Sequence, residues 1–254
     1  MNEWVLLTLL VLGSYLIGCI NNAVMLSKMK KSDIRKMGSG NPGTLNMSRT
    51  FGLKMGLLTL LLDAVKGAVP TLIGYLILKD KYASWGVGDS FRLTDFAMYL
   101  CGFFAVLGHI YPVFMKFKGG KGIATTIGVL LTSCICVGEI AWIMVTVMSF
   151  VAAILFIYFT EFGAMGSFIA ITPPACAASI RLFLTYGLET AYLGFYVATN
   201  VLIFGICFIT WFAHRKNIER MLAGEEHPTS IKEMIIKMKA KKQEKLKQNQ
   251  KEEK

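Results

Sequence analysis

The sequence GSGNPGTLNMSR at residues 38–49 organises the chain, because this polar stretch lies between two long apolar runs. Its three glycines expose backbone N–H groups at little steric cost. Arg49, at its end, adds a planar cation suited to an oxyanion. The stretch lacks the spacing and the Lys-Ser/Thr pair of a Walker loop. Taken alone, it fits either a phosphate cradle or a flexible connector between two membrane spans.

The composition indicates an integral membrane protein. Hydrophobic residues make up 54% of the 254 residues, which is a poor fit to a soluble two-domain protein. The six cysteines lie in apolar runs without CxxC spacing, so we expect no disulfide and no metal site. The net charge of +11 does not indicate nucleic-acid binding, because the sequence has no basic, aromatic-rich soluble domain.

Apolar runs of about 18 or more residues are typical of transmembrane helices. The sequence therefore predicts an all-α integral membrane protein, a compact bundle of about seven transmembrane helices. Five spans with re-entrant segments are the alternative. The predicted spans are residues 4–26, 53–78, 96–114, two spans that divide 123–159 at Gly138-Glu139, a short span 168–180 weakened by Pro173 and Pro174, and 192–212. We expect an outer loop to begin at Arg181.

The distribution of basic residues predicts the orientation. The loop at residues 27–51 carries six Lys or Arg residues against Asp33 alone. By the positive-inside rule this loop is cytoplasmic, which places the N-terminus outside and the C-terminus in the cytoplasm. The other basic or glycine-rich loops fall on the same side of the seven-span arrangement.

A second informative stretch is GHIYPVFMKFKGGKGIATT at residues 108–126. Lysines and glycines alternate just before a predicted helix, and such a helix start attracts anions. The alternative is an ordinary positive-inside loop with a glycine turn. Within the second span, Asp63 and Lys66 lie on one helical face. They either neutralise each other or support the polar loops from beneath.

The C-terminal region divides the chain into a membrane domain, residues 1–226, and a basic cytoplasmic tail, residues 227–254. Ser230 and Glu233 form a capping-box signal, so a helix is expected to begin there. Its apolar face would contain Ile231, Met234 and Ile235, together with Met238, and would lie on anionic lipid. The end of the tail is expected to be disordered.

Four stretches together resemble the motifs of the PlsY-type acyl-phosphate:glycerol-3-phosphate acyltransferases. They are residues 38–49, residues 108–126, Gly166-Ser167 and residues 214–224. Further similarity lies at Ile17-Gly18 and at residues 33–35 and 63–67, so the resemblance extends to about residue 226. Because order, spacing and flanking apolar spans also match, the combination is far more specific than any one glycine motif.

The resemblance implies a multi-pass protein of the bacterial plasma membrane with its active site facing the cytoplasm. The implied reaction moves a fatty acyl group from acyl phosphate to the 1-hydroxyl of glycerol 3-phosphate. The products are lysophosphatidic acid and phosphate, in an early step of bacterial phospholipid synthesis. The implied partners are these two substrates and membrane lipid. No metal, cofactor or obligatory protein partner is expected.

The resemblance also assigns the site. The implied catalytic residues are Ser39, Arg49, Lys121, His214 and Asn217. The implied substrate- and phosphate-binding residues are Gly40, Asn41, Gly43, Asn46, Lys118, Gly119, Gly120, Gly122 and Ser167. No Ser-His-Asp set is present, so we do not expect an acyl-enzyme. Either a substrate phosphate or His214 takes the hydroxyl proton.

The sequence departs from the family pattern at two places. Thr44 and Leu45 stand where the family usually has Ala and Thr, and Phe162 and Ala164 stand where it has Tyr and Ser. A paralogue with a different acceptor or donor is therefore one alternative. Another is a non-enzymatic transporter or binder of phosphate or lipid anions. The lack of internal repeats and of charges spread along the spans favours the enzyme.

Overall fold

The computed structural model describes residues 3–79, 82–83, 91–187, 190–226, 228–236, 240 and 243. These residues form ten helices joined mostly by short loops. The helices are α1 Glu3–Gly18, α2 Asn22–Met29, α3 Thr44–Phe51, α4 Leu53–Leu78, α5 Thr94–Ile110, α6 Ile123–Val137, α7 Ile140–Thr160, α8 Gly163–Tyr186, α9 Thr190–Ala213 and α10 Arg215–Leu222. The described residues also form two 3-10 turns, Ile34–Lys36 and Val113–Met115, and one antiparallel pair, β1 Tyr82–Ala83 with β2 Phe91–Arg92. Residues 231–236 are helical as well.

The described residues contain six helical segments long and apolar enough to cross a membrane. They are Val5–Met29, Leu53–Leu78, Thr94–Met115, Ile140–Thr160, Gly163–Tyr186 and Leu193–Ala213. Ile123–Val137 is a shorter apolar helix. Large apolar side chains such as Ile140 and Phe159 are exposed on the outside of the bundle, as lipid contact requires. The predicted all-α membrane class is confirmed, while the count of seven spans and the orientation of the termini stay predictions.

The first span contains a break, where the sequence predicted one continuous helix. α1 ends at Gly18, and α2 begins again at Asn22. The Asn21 side chain accepts a hydrogen bond from the Val24 backbone N–H at 2.9 Å, which caps α2. The Ile20 carbonyl, left without a helical partner, accepts from Lys66 Nζ at 2.7 Å. The break is therefore stabilised by partners that are remote in sequence.

α8 is longer than the predicted span 168–180, and the expected outer loop at Arg181 is wrong. The helix contains both adjacent prolines and continues to Tyr186. Arg181 is buried within it and donates a hydrogen bond to Asp95, at the start of α5. The Tyr186 hydroxyl donates to the same carboxylate at 2.8 Å. Because a buried charge needs a partner, this pairing draws the last turns of α8 against α5.

Helices α1, α4, α5 and α6 pack closely through small residues. Gly18 of α1 lies so near the Ala105 carbonyl of α5 that a Cβ would overlap it. Gly128 of α6 meets the Ala64 carbonyl of α4 in the same way. Small residues at such crossings let membrane helices approach closely. These four helices are therefore closely packed, and one end of the bundle carries the polar loops.

Candidate functional site

The polar loops that the sequence singled out meet at one end of the bundle. Arg49, in α3, donates a hydrogen bond to Thr229 Oγ1 at 2.8 Å. The Thr229 backbone N–H donates to the Glu161 carbonyl, between α7 and α8, at 2.8 Å. Lys121, just before α6, donates to the side-chain oxygen of Asn217 in α10. Residues from five separate parts of the sequence therefore share one end.

Asn46 holds the first loop in shape. Its side-chain oxygen accepts from the Ser39 N–H at 3.0 Å, and its side-chain nitrogen donates to the carbonyls of Met37 (2.9 Å) and Ile34 (3.3 Å). Gly38 has φ +55°, and a Cβ there would overlap the Asn46 oxygen. Because both amide hydrogens of this buried side chain are used, it positions the loop and has no donor left for a phosphate. Its predicted role in phosphate binding stays a prediction.

Other atoms of this loop are available to a ligand. The N–H groups of Gly40 and Gly43 donate within the loop, to Met37 and Asn41 respectively. The exposed Ser39 hydroxyl and the Asn41 side chain have no hydrogen-bond partner among the described residues. α3 begins at Thr44, and its first-turn amides are free of intrahelical partners, as at any helix start. An anion here would meet side chains and a helix N-terminus.

The glycines of the second loop serve close packing. The Gly119 N–H donates to the Ile110 carbonyl at 3.0 Å, and the Gly120 N–H donates to the His109 carbonyl at 3.1 Å. A Cβ on Gly120 would overlap the His109 ring. Gly122 has φ +87° and precedes α6. The amides of Gly119 and Gly120 are thus engaged within the protein, and their predicted contact with phosphate stays a prediction.

A buried polar cluster lies beneath this loop. Asp63 pairs with Lys66 at 3.1 Å and accepts a hydrogen bond from Asn22 at 2.9 Å. His109 Nδ1 is 3.9 Å from the same carboxylate, and the other side of the ring lies against Gly120. Asp63 and Lys66 thus pair with each other, as the first of the two alternatives expected. The His109 ring lies between this pair and Gly120, but its Nδ1 has no hydrogen-bond partner among the described residues, so support of the polar loops by the pair stays a prediction.

Lys121 is the half-buried cation of the site. Burial is the main cause that lowers its pKa, to about 8. Glu226 acts in the opposite direction, while Arg220 and Arg49 lower the pKa further by charge repulsion. Lys121 is therefore still charged at pH 7 but loses its charge more readily than an exposed lysine.

Glu226 fixes the orientation of Asn217. Its carboxylate accepts from the Asn217 side-chain N–H at 2.7 Å and from Arg220 Nε at 3.1 Å. The Glu226 side chain is only 6% exposed. Because a carboxylate only accepts hydrogen bonds, the nitrogen of the Asn217 amide must face it and the oxygen must face Lys121. This network links α10 to the second loop.

His214 is buried in its neutral form. Burial lowers its pKa to about 4, the charge of Lys121 adds to this effect, and a hydrogen bond to Thr210 partly opposes it. Nδ1 lies 2.9 Å from the Thr210 carbonyl, so that nitrogen carries the proton and Nε2 keeps its lone pair. The ring packs edge-on against Phe168, with centroids 5.6 Å apart. This arrangement leaves Nε2 able to accept a proton or a hydrogen bond.

The structure does not connect every predicted site residue to this network. Lys118 is exposed, and its ammonium group has no partner among the described residues. The Ser167 hydroxyl donates within its own helix, to the Gly163 carbonyl at 2.8 Å. Both residues keep their predicted roles as predictions.

The altered motif positions lie where α3 and α8 meet. A Cβ on Gly163 would be 3.4 Å from the Leu45 side chain, and Ala164 is buried beside it. Phe162 is 44% exposed. A cavity of about 300 Å³ opens next to this junction. It is lined by Thr160, Glu161, Phe162, Met221, Gly224, Glu226 and Pro228.

Sequence reasoning missed three participants, namely Arg220, Glu226 and Thr229. The first two carry opposite charges six residues apart, which was a weak signal for a pair. Thr229 gave no signal, because its partners are about 70 and 180 residues away. Within the described residues, no group of three or more His, Cys, Asp or Glu side chains could hold a metal ion. The six cysteines are free.

Fold and site together define a multi-span membrane protein that gathers cations, amides and a neutral imidazole at one end. A family model described as "Glycerol-3-phosphate acyltransferase" matches residues 8–224. The chain therefore belongs to the glycerol-3-phosphate acyltransferase family. This membership confirms the predicted enzyme class and favours an enzyme over a non-enzymatic binder.

Curated relatives match over most of their length. The glycerol-3-phosphate acyltransferase of Thermoanaerobacter pseudethanolicus is 39% identical over 217 residues, which cover 84% of this chain and 90% of that protein. The enzyme of Aquifex aeolicus is 33% identical over 221 residues, which cover 86% of this chain and 96% of that protein.

Solved structures of PlsY, an integral membrane glycerol 3-phosphate acyltransferase, share the fold. The glycerol 3-phosphate form has a TM-score of 0.66 and 30% identity, covering 90% of this chain and 98% of that one. The lysophosphatidic acid form has a TM-score of 0.65 and 30% identity, covering 91% and 98%. The predicted PlsY-type resemblance is confirmed.

Proposed function

We propose that this chain transfers a fatty acyl group from acyl phosphate to the 1-hydroxyl of glycerol 3-phosphate. The observation that carries the proposal is the contact of Lys121 with Asn217, next to the neutral His214 and at the same end as Arg49. Both substrates carry phosphate, so the site needs more than one cation. The PlsY forms with glycerol 3-phosphate and lysophosphatidic acid support the acceptor and the product.

The chemistry requires positioning and charge stabilisation rather than a protein nucleophile. The glycerol hydroxyl oxygen attacks the acyl carbonyl carbon, a new ester bond forms, and the bond from that carbon to the phosphate oxygen breaks. Negative charge grows on the carbonyl oxygen and on the leaving phosphate. Arg49 and Lys121 would stabilise that charge, and cations fixed in place before the reaction are the most effective ones. The Ser39 hydroxyl would donate to a phosphate oxygen, and so would the second side-chain N–H of Asn217, since its first N–H donates to Glu226.

The charge-stabilising roles are tested by alanine variants. We expect Arg49→Ala and Lys121→Ala each to lower kcat/KM by at least about a hundredfold, as is typical when a group that stabilises transition-state charge is removed. Lys54→Ala, at an exposed lysine at the start of α4, is the matched control. Initial rates are measured in lipid, with helix content checked by circular dichroism. Near-normal activity of both site variants would refute the assignment.

His214→Ala separates two routes for the hydroxyl proton. If Nε2 of His214 accepts it, kcat falls severely, by about 10²- to 10⁴-fold, as for other general bases. This is the result that we expect. A loss of less than about tenfold would instead assign the proton to a phosphate oxygen of the substrate.

We propose that the site faces the cytoplasm of a bacterial plasma membrane. The excess of Lys and Arg in the loops of the site end supports this orientation. Glycerol 3-phosphate is charged and does not cross lipid unaided, so sealed vesicles of opposite orientation distinguish the two faces. Acyl transfer should occur without permeabilisation in inside-out vesicles only. The reverse result would place the site outside.

The division into a membrane domain at residues 1–226 and a tail at residues 227–254 remains part of the proposal. Helical residues 231–236 follow Ser230, whose hydroxyl accepts from the Glu233 N–H at 3.2 Å. Ile231, Met234 and Ile235 are half-buried, while Met238 lies outside the described residues. Contact of this helix with anionic lipid would be seen as binding of the tail peptide to vesicles with anionic lipid but not to neutral vesicles.

A further inference from the structure

A short segment of the tail holds Arg49. We name this segment, residues 228–230, the strap. Arg49 Nη2 donates to the Pro228 carbonyl at 3.1 Å and to the Thr229 hydroxyl at 2.8 Å. The strap lies beyond the family match, which ends at residue 224. A cation of the first motif is thus bound by residues that the family match does not include.

The nitrogen used in these contacts is the one that an oxyanion needs most. A guanidinium binds phosphate or carboxylate in a fork, through two parallel N–H···O bonds from neighbouring nitrogens. One fork uses Nη1 with Nη2, and the other uses Nε with Nη2, because the Nε–H lies on the same side as Nη2. Both forks include Nη2. Nη2 has two hydrogens, one for each fork, and it has two acceptors on the strap, the Pro228 carbonyl and the Thr229 hydroxyl. While both of these bonds are made, Nη2 cannot donate fully to a phosphate.

The strap is anchored independently of Arg49. The Thr229 N–H donates to the Glu161 carbonyl, and Thr229 as a whole is only 3% exposed. A Cβ on Gly163 would lie 2.8 Å from Thr229 Oγ1, so the glycine makes room for it. Arg49, in contrast, is an exposed side chain on α3. The strap can therefore stay in place while the arginine moves away.

The hydrogen bonds that Arg49 makes to the strap are weaker than those it can make to a phosphate, so a phosphate favours movement of the side chain away from the strap. On the strap, Arg49 donates to a neutral carbonyl and a neutral hydroxyl. A phosphate offers charged oxygens, to which guanidinium bonds are roughly twice as strong. An arriving phosphate can therefore take the side chain from the strap, but the lost strap contacts reduce the net gain in binding.

We propose that Thr229 sets the affinity of the site for a phosphate-bearing substrate by competing for Arg49. This inference rests on the proposed function of Arg49 as a phosphate ligand. The arginine is held on the strap in the unliganded protein and transfers to the substrate phosphate on binding. The shared chemistry is a phosphate group, carried either by glycerol 3-phosphate or by the acyl donor.

The test is Thr229→Val, which keeps the branched shape and the backbone N–H but removes the acceptor. Binding is measured by calorimetry in lipid nanodiscs, without turnover. One titration uses glycerol 3-phosphate, and the other uses palmitoyl phosphonate, a stable analogue of the donor. We expect the Kd of one ligand to fall about three- to tenfold, the size of one hydrogen bond to a partly exposed charged group. The ligand whose Kd falls is the one that Arg49 binds.

Three controls isolate the contact. Thr229→Ser keeps the hydroxyl and should bind like the native chain. Thr199→Val removes a buried hydroxyl that bonds only within α9, to Phe195, and should also be neutral. In an Arg49→Ala background, Thr229→Val should have no effect, since the interaction partner is gone.

Unchanged or weaker binding of both ligands by Thr229→Val would overturn the inference, as would the same tightening in the Arg49→Ala background. Because binding is measured without turnover, the inference about the strap is tested independently of whether the protein catalyses acyl transfer. A chain that binds glycerol 3-phosphate but transfers no acyl group would contradict the proposed function and leave the strap result standing.

Discussion

The pKa of Lys121 leads to a specific prediction for the pH dependence of the enzyme. Burial lowers this pKa to about 8, so the ammonium group loses its charge as the pH rises through that value. The charged form binds phosphate, and kcat/KM reports ionisations of the free enzyme. We therefore expect kcat/KM to be nearly level up to about pH 7 and to be about tenfold lower at pH 9. A lysine with the ordinary pKa of about 10.4 would leave it level through pH 9.

The assay measures initial phosphate release at low glycerol 3-phosphate between pH 6.5 and 10. The second ionisation of a phosphate ester is near pH 6, well separated from the expected decline. Lys121→Arg is the control, because arginine stays charged throughout this range. Its kcat/KM should be lower overall but level to pH 10. A native profile without a decline below pH 10, or the same decline in the arginine variant, would refute the reasoning.

Two further predictions concern stability. Glu226→Gln replaces a buried carboxylate that accepts hydrogen bonds from Asn217 and Arg220, so we expect the free energy of unfolding to fall by about 1–3 kcal/mol, seen as a lower melting temperature. The matched control is Glu225→Gln, at an exposed residue, which should leave the melting temperature unchanged. Equal melting temperatures for the two variants would contradict the network. Gly120→Ala places a methyl group against the His109 ring and should lower both the melting temperature and the activity. The control is Gly194→Ala, since a Cβ there meets nothing within 4 Å. Equal melting temperatures and activities for the two variants would show that the close approach of Gly120 to His109 is unimportant.

The length of the apolar runs predicted the membrane class and most of the helices, because a long run of apolar residues is rarely anything other than a transmembrane helix. It did not predict the break before Asn22, which depends on Lys66, more than 40 residues away. It also predicted that an outer loop begins at Arg181, since a charged residue in an apolar run usually marks the end of a span. The buried partner Asp95 changes that outcome, and no local pattern reveals such a pairing.

The candidate site shows the same limit. Motif spacing singled out Lys121, His214 and Asn217. In the structure Lys121 donates to Asn217, and His214 lies close enough to feel the charge of Lys121. It could not show that the Gly119 and Gly120 amides are already engaged by the end of α5, because that is a matter of tertiary contact. The motifs identify the residue types of the site and their order along the chain. Which donors remain free for a phosphate depends on the fold.

The most direct test of the proposed function measures phosphate release by the purified protein in lipid, with palmitoyl phosphate and glycerol 3-phosphate together and each alone. We expect release only when both are present, with lysophosphatidic acid formed in equal amount. Release from palmitoyl phosphate alone, or no release with both, would contradict glycerol 3-phosphate as the acceptor that this site uses.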